Sequence, residues 1–232
     1  MNIKEIIQSN PLFLRTVRFT ASIFILIGFV GFLGGAAIAI GFINPNFELP
    51  LGHVTSIAVD RYDNIYLGLE FYGYIQKYNN EGEFIKNWRA VGTSGGAFNM
   101  LCQNEKIITS SARGDLITEY DLNGKLINTS KDANAYQWGN KNSEIEDNQG
   151  NIYRLDGWIL SKITKTKKGG GRGNTIISMD LLRSIFKGPE PAWLIAFLGI
   201  LLYRLSVSTT EKSKLEEKIE ATFRKLGFID RK

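Results

Sequence analysis

Apolar positions along the chain form two continuous runs with a long alternating region between them. The first run, Phe19 to Ile43, holds 25 residues without a charge. At 1.5 Å per residue, a helix of that length exceeds the roughly 30 Å hydrocarbon core of a bilayer. The second run, Ala192 to Ser208, holds 17 residues and has Arg204 near its end. Both runs are interpreted as transmembrane helices.

Each apolar run also has an alternative interpretation. The first is longer than the apolar part of a usual signal peptide, which favours an uncleaved anchor, although the small residues Ala36, Ala37 and Ala39 leave cleavage open. The second run lies at the short limit for a spanning helix, so a buried or surface-lying helix is its alternative.

The region between the runs alternates short β-branched and aromatic segments with Asp, Asn and Gly turns. Its clearest unit predicts strands over residues 53–60, 65–68, 74–78 and 83–88. A shift of 42 residues places Tyr120 on Tyr78, and a further 45 places the segment at Ile152 on the one at Ile107. The pattern therefore predicts three copies of a four-stranded unit within residues 44–165.

Four short strands at a period in the forties are typical of a propeller blade. The residues Ser56-Ile-Ala-Val-Asp60, then Asn64-Ile-Tyr66 and Ile75-Gln-Lys-Tyr78, resemble the NHL-type β-propeller repeat. The resemblance covers roughly residues 53–165. It is good in the first copy and at the Asp147 turn, and poor in the middle copy, where Cys102-Gln-Asn-Glu105 replaces the usual turn.

The expected fold class is an all-β extracytoplasmic module of three propeller-like four-stranded blades, an incomplete ring, flanked by two transmembrane α-helices. The resemblance implies a ring of about six blades. Exposed sheet edges are avoided, so either a second copy closes the ring, a partner covers the edge, or the segment folds as a compact sheet or sandwich. We favour a homodimer. The small-residue stripe of Gly31, Gly35 and Ala39 either supports helix pairing between copies or seats Gly199 of the same chain.

Basic residues next to the two runs predict the topology. Three precede the first run and one follows within twenty residues, whereas three precede and five follow the second. This asymmetry places both termini in the cytoplasm and residues 44–190 outside, at a plasma membrane. The expected segments are a cytoplasmic N-terminal segment in which Pro11 interrupts a surface helix (1–18), transmembrane helix 1 (19–43), the β module (44–165), a Gly-rich basic tether with an interfacial helix (166–191), transmembrane helix 2 (192–208) and a cytoplasmic amphipathic helix (209–232).

The net charge of +5 lies in the tails, because residues 44–190 hold 17 basic and 17 acidic side chains. The charge therefore reflects membrane topology and does not predict nucleic-acid binding. Cys102 is the only cysteine, which excludes an intrachain disulfide and suits a bacterial envelope protein. In its apolar context, Cys102 is expected to be a buried hydrophobic residue.

Equivalent loops of successive blades emerge on one face of a propeller. By the repeat, residues 70–74, 111–115 and 156–158 are equivalent loops. They would bring aromatic and charged side chains to a common surface suited to a peptide or glycan, with solvated turn residues as the alternative. The candidate ligand-binding residues are Glu70, Tyr72, Arg113, Asp115, Asp156 and Trp158.

Catalytic and metal chemistry find little support in the sequence. His53 is the only histidine, which excludes a multi-histidine zinc site and leaves any Ser/His/Asp triad dependent on this one residue. Asp60 and Asp147 resemble the start of calcium loops but are interpreted as strand connectors whose carboxylates accept backbone N–H groups. We therefore expect no cofactor, no metal and no enzymatic activity.

The function expected from these patterns is binding. The first hypothesis is a membrane-anchored scaffold or sensor whose loop face recognises a protein, peptide or glycan. The alternative is an accessory subunit that docks its open sheet edge onto a larger membrane complex.

Overall fold

A computed structural model describes residues 10–51, 54–93, 98–112, 115–132, 143–157, 161–171, 173–179 and 189–207. Within them, residues up to Phe29 together with those from Trp193 form one compact unit, and Val30–Ala192 form a second. The helices and strands, in chain order, are α1 (Pro11–Ala39), β1 (Val54–Val59), β2 (Ile65–Leu69), β3 (Tyr74–Tyr78), β4 (Phe84–Arg89), β5 (Phe98–Gln103), β6 (Lys106–Ser111), β7 (Leu116–Asp121), β8 (Leu126–Lys131), β9 (Glu144–Glu146), β10 (Asn151–Asp156), β11 (Lys162–Lys167), β12 (Asn174–Ser178) and α2 (Pro189–Ser206).

Helix α1 begins at Pro11, eight residues before the predicted span. The Asn10 side chain caps it by accepting the N–H groups of Leu12 at 3.0 Å and Phe13 at 3.2 Å. Proline suits the first helical position because its fixed φ matches the helix and its missing N–H would have no partner there. Pro11 therefore starts a helix, and the part of the predicted surface helix that precedes it lies outside the described residues. Helix α1 has 29 residues and contains an 18-residue window with a mean hydropathy of 2.3, enough in length and composition to cross a membrane.

Helix α2 is shorter, with 18 residues, and its apolar part runs from Pro191 to Ser206. In the first unit, Gly199 lies directly against the backbone of α1, since a Cβ there would be 2.8 Å from the carbonyl oxygen of Ala21. Arg18 also donates from Nη2 to the carbonyl oxygen of Ser206 at 3.0 Å. The stretch 209–232, predicted as an amphipathic helix, lies outside the described residues.

The strands form three four-stranded antiparallel sheets, each an up-and-down meander of consecutive strands. The first sheet is β1–β4, the second β5–β8 and the third β9–β12. The four strands predicted for the clearest repeat agree with β1–β4 to within one residue at each end. The predicted propeller-like repeat of four-stranded units is confirmed at this level.

The first sheet lies in the centre of the stack, although it comes first in the chain. One of its faces packs on the third sheet through Ile65, Leu67 and Tyr78, which share a buried cluster with Tyr153 and Ile163. The opposite face packs on the second sheet in another cluster, whose members include Ala58, Tyr66, Ile75, Phe98 and Tyr120. Residues directly opposite each other on neighbouring strands point to the same face of a sheet. In the first sheet this register places apolar side chains on both faces.

The third sheet extends past the predicted module boundary at residue 165. β11 and β12 pair antiparallel from Lys162↔Ser178 to Lys165↔Asn174, and the glycines at 169–171 belong to the turn between them. A tether was expected for the Gly-rich basic segment, but the segment is largely strand and hairpin turn. Strands form here because Ile163 and Ile177 alternate with polar residues and fill the core. The interfacial helix predicted after residue 178 lies almost entirely outside the described residues.

In each well-formed repeat, a carboxylate or amide side chain closes a tight turn by accepting hydrogen bonds from backbone N–H groups. Asp60 Oδ1 accepts from the N–H groups of Tyr62 (2.8 Å) and Asn64 (2.9 Å), and Asp147 Oδ1 accepts in the same way from those of Gln149 and Asn151. These bonds close a tight turn between strands, as expected for Asx-type turns. Among the described residues, no cluster of three or more His, Cys, Asp and Glu side chains has the geometry to hold a metal ion.

Candidate binding site

The outward face of the third sheet is polar and lines a cleft of about 400 Å³. Successive side chains of a strand point to opposite faces, so Tyr153 is buried towards the first sheet while Arg154 is exposed on the other side. The strand register then assembles one surface, since Arg154 lies opposite Thr164 and Asp156 opposite Lys162. Glycines of the β11–β12 turn form the rim of the cleft.

Hydrogen bonds fix several of the charged groups in and beside the cleft. Thr164 Oγ1 donates to Asp156 Oδ2 at 2.8 Å. Arg154 donates from Nε to Glu144 Oε2 at 2.8 Å and approaches the same oxygen with Nη2 at 2.6 Å. The hydrogen bond to Glu144 raises the pKa of Arg154, so its guanidinium stays charged. Lys162 makes no ion pair with another residue in the described ranges.

The cleft therefore offers hydroxyl, carboxylate, guanidinium and ammonium groups on a rigid sheet. Its volume lies in the range of small-ligand sites, which are about 300–1,000 Å³. Thr166 and Thr175 add two further hydroxyls to the lining. A hydroxyl both donates and accepts hydrogen bonds, so the surface suits a polar ligand that does the same.

The predicted ligand-binding residues divide into three groups in the structure. Glu70 and Asp115 lie in the connectors before β3 and β7, and Asp156 ends β10 and lines the cleft. Tyr72 is fully buried in the core cluster of the first sheet, where its ring meets Phe71 edge-on. Arg113 and Trp158 lie outside the described residues. Of the six, only Asp156 is placed in the cleft, and a ligand-binding role for all of them stays a prediction.

Sequence reasoning missed Arg154, Lys162 and Thr164 as site residues. Lys162 and Thr164 were hidden by the interpretation of the segment from residue 162 as a fading repeat and tether, and Arg154 because the candidate residues were sought in the connector loops. The signal that identifies the β11 residues is the period of two in Ile163-Thr-Lys165-Thr-Lys167, which places threonines on one face and the core residue Ile163 on the other.

Cys102 lies away from the cleft, half-buried at the edge of the cluster between the first and second sheets. Burial raises the pKa of Cys102 to about 11, and the nearby Asp60 and Glu105 charges act in the same direction. The side chain is therefore a neutral thiol at pH 7 and behaves as a small hydrophobic group.

Comparison with known proteins gives structural similarity alone. No protein family matches the chain, and no curated protein matches it. A solved streptogramin B lyase is similar at 14% identity with a TM-score of 0.32, covering 59% of this chain and 43% of that one. A protein of unknown function from Bacteroides caccae has 11% identity and a TM-score of 0.29, covering 55% and 46%. Virginiamycin B lyase from Staphylococcus aureus has 11% identity and a TM-score of 0.31, covering 56% and 44%. This chain spans less than half the length of those proteins.

Proposed function

We propose that this protein is a membrane-anchored binding or scaffold protein, and that the cleft of the third sheet holds a polar ligand such as a glycan or peptide. The observation that carries the proposal is the charged, hydroxyl-lined face at the end of an otherwise apolar stack of sheets. The proposal includes anchoring by α1 as an uncleaved span, a second span in α2, both termini in the cytoplasm and a blade module of the NHL type outside.

The composition of this face favours a ligand over a further blade. Both faces of the first sheet, which do pack on other sheets, present mainly residues such as Ile65, Leu67 and Tyr66. The outward face of the third sheet instead presents Arg154 and Asp156, and covering these charges with another sheet would carry a large desolvation cost. We infer that the third sheet ends the stack with a face made for water and polar ligands.

The same comparison bears on self-association. The predicted homodimer requires outer sheet faces of two copies to meet, and the third sheet offers no apolar face for that contact. Gly31 and Gly35, named as helix-pairing residues, are buried within the single chain. The mass of the purified protein decides the matter, since a dimer would have twice the 26.0 kDa of the chain.

Ligand binding is tested with the full-length protein in lipid nanodiscs against an array of glycans and peptides. Thr164→Val keeps the shape of the side chain but removes the hydroxyl bonded to Asp156. It should weaken any captured ligand, whereas Thr129→Val on the exposed strand β8 should bind as the wild type does. Equal binding by the wild type and both variants would refute the cleft as the site.

The accessory-subunit alternative is favoured by a different observation. Among the described strands β4 and β8 are the last edge strands of the first and second sheets, but all six residues of β8 are exposed and only two of β4 are. A free edge of this kind can accept a strand from a partner. Ile127→Lys should then release a co-purifying partner, while Ile85→Lys, at an equally exposed position (48% each) on β4, should not. Retention of the partner by the Ile127 variant would reject edge docking.

A further inference from the structure

The described residues of the three predicted ligand loops lie at the end of the sheets where α1 joins the module. Arg89, the last residue of β4, donates from Nη2 to the carbonyl oxygen of Ala39 at 2.9 Å. Tyr74, the first residue of β3, donates from its hydroxyl to Asn44 Oδ1 at 3.2 Å. The connector holding Glu70 directly precedes β3, so it shares this end, which we call the connector end.

The other two sheets have the same polarity as the first. At the opposite end, Arg61 of the first sheet pairs with Glu105 of the second, and Gln149 of the third donates to Asp63 of the first at 2.6 Å. Those residues all belong to the turns between first and second strands. Asp115 and Gly157, which are described residues of the connectors between second and third strands, therefore also lie at the connector end.

Helix α1 leaves the module at the connector end. Its last turn closes with Gly41 at φ +81°, where the N–H of Phe42 reaches the carbonyl of Ala37 at 2.8 Å and that of Gly41 reaches Ile38 at 2.9 Å. This is a Schellman termination, which fixes the direction of the chain after the helix. Ile38 is the residue of α1 that belongs to the core cluster of the first sheet.

The residues that follow this termination are apolar and uncovered. Ile40 is 74% exposed, Phe42 85% and Ile43 42%. They continue the apolar run of α1 without a charge. An aqueous surface gives such residues no partner, whereas the interfacial region of a bilayer covers them.

We propose that the connector end of the module rests on the outer surface of the bilayer, with Ile40, Phe42 and Ile43 in its interfacial region. The inference rests on the proposed anchoring by α1. It makes the lipid surface the partner of the loops that the sequence predicted to bind a soluble ligand. The cleft on the side of the third sheet and the opposite end of the sheets, which holds the turns between first and second strands, then remain open to the extracytoplasmic space.

The test measures the depth of single spin labels on the full-length protein in phosphatidylcholine liposomes, in a Cys102→Ser background. Asp115 and Asn123 give a matched pair, because both are exposed and they flank the two ends of the same strand, β7. A third label replaces Phe42. Relaxation by oxygen reports the bilayer, and relaxation by a water-soluble nickel complex reports the aqueous phase.

We expect the Phe42→Cys label to respond mainly to oxygen. The Asp115→Cys label should be severalfold less accessible to nickel than the Asn123→Cys label, and detergent solubilisation should reduce that difference. Equal nickel accessibility at the two ends of β7, or a Phe42→Cys label as accessible to nickel as Asn123→Cys, would overturn the inference. Alkaline carbonate extraction separates this failure from failure of the anchor, because a protein without a spanning helix is released into the soluble fraction.

Discussion

Replacing Asp60 tests whether the repeated turn of this protein is structural. The Asp60 side chain is 4% exposed and accepts four hydrogen bonds, from the N–H groups of Tyr62 and Asn64, the Asn64 side chain (2.8 Å) and the Tyr66 hydroxyl (2.9 Å). Burial raises the pKa of Tyr66 well above its ordinary value, and the hydrogen bond to Asp60 adds to the shift. A neutral tyrosine hydroxyl therefore needs a buried acceptor at all physiological pH values.

The magnitude follows from which donors lose an acceptor that water cannot replace. Hydrogen bonds to charged groups contribute about 1.5–3 kcal/mol each. In Asp60→Ala the buried Tyr66 hydroxyl loses the charged acceptor and keeps the Leu122 carbonyl oxygen at 3.2 Å. The part-buried Asn64 side chain and the turn N–H groups regain water in part. We expect a loss of about 3–4 kcal/mol.

Asp121→Ala is the matched control, because Asp121 closes a turn with the same backbone hydrogen-bond pattern, between β7 and β8 of the second sheet. Its Oδ1 accepts from the N–H groups of Asn123 and Lys125, each at 2.8 Å, and both bonds are exposed to solvent. Water replaces such an acceptor, so the expected loss is about 1 kcal/mol.

The assay is thermal unfolding of the full-length protein in one detergent, followed by tryptophan fluorescence. Trp88 is a suitable reporter since its ring meets Tyr66 edge-on at 6.1 Å. At about 2–4 °C per kcal/mol, Asp60→Ala should lower the midpoint by roughly 6–16 °C and Asp121→Ala by roughly 2–4 °C. Equal losses in the two variants would refute the reasoning that burial of the Asp60 acceptor decides the cost.

Three further predictions concern other parts of the module. Gly82→Ala should destabilise far more than Gly150→Ala in the same unfolding assay: both have positive φ, but a Cβ at Gly82 would overlap the carbonyl oxygen of Ile176, whereas nothing lies within 4 Å of one at Gly150; similar losses would contradict the close packing of the two sheets. Burial acts to raise the pKa of Asp147, but hydrogen bonds from Asn151 and Gln149 lower it overall. The ionised carboxylate therefore contributes fully to stability above its unfolded-state pKa of 3.8, and this contribution disappears as the pH falls through the lower folded-state pKa. Asp147→Asn should remove this pH dependence from unfolding midpoints measured from pH 6 to pH 3. Cys102 should react with maleimide at pH 7 much more slowly than an exposed cysteine introduced at Asn123, and equal rates would contradict its raised pKa.

Local sequence determined the strands of the first repeat and the Asp turns of the first and third repeats. Residues such as Ile65 and Leu67 recur with the period of a strand, and Asp60 and Asp147 mark tight turns whose hydrogen bonds form within five residues. Such features depend on backbone geometry and near neighbours, so a pattern along the chain is sufficient to predict them. The apolar length of α1 is a property of the same kind.

The tertiary structure decided which surfaces meet. Nothing in the local pattern indicates that the first sheet lies between the other two, because apolar faces of similar composition can pair in any order. Tyr72 was predicted to be exposed in a loop, yet it lies in the core because other parts of the chain cover it. Arg154 became a candidate site residue because β11 and β12 complete the third sheet beside it.

The sequence by itself therefore determined the long apolar helix α1, the four-stranded repeat and its Asp turns, since each arises from interactions between residues close in the chain. The order of the sheets, the polar cleft and the end of the module that holds α1 were decided by tertiary structure. Those features depend on contacts such as Arg89 with Ala39, which are 50 positions apart, and on which of two faces each sheet buries. Long-range packing of this kind leaves no periodic signal in the chain.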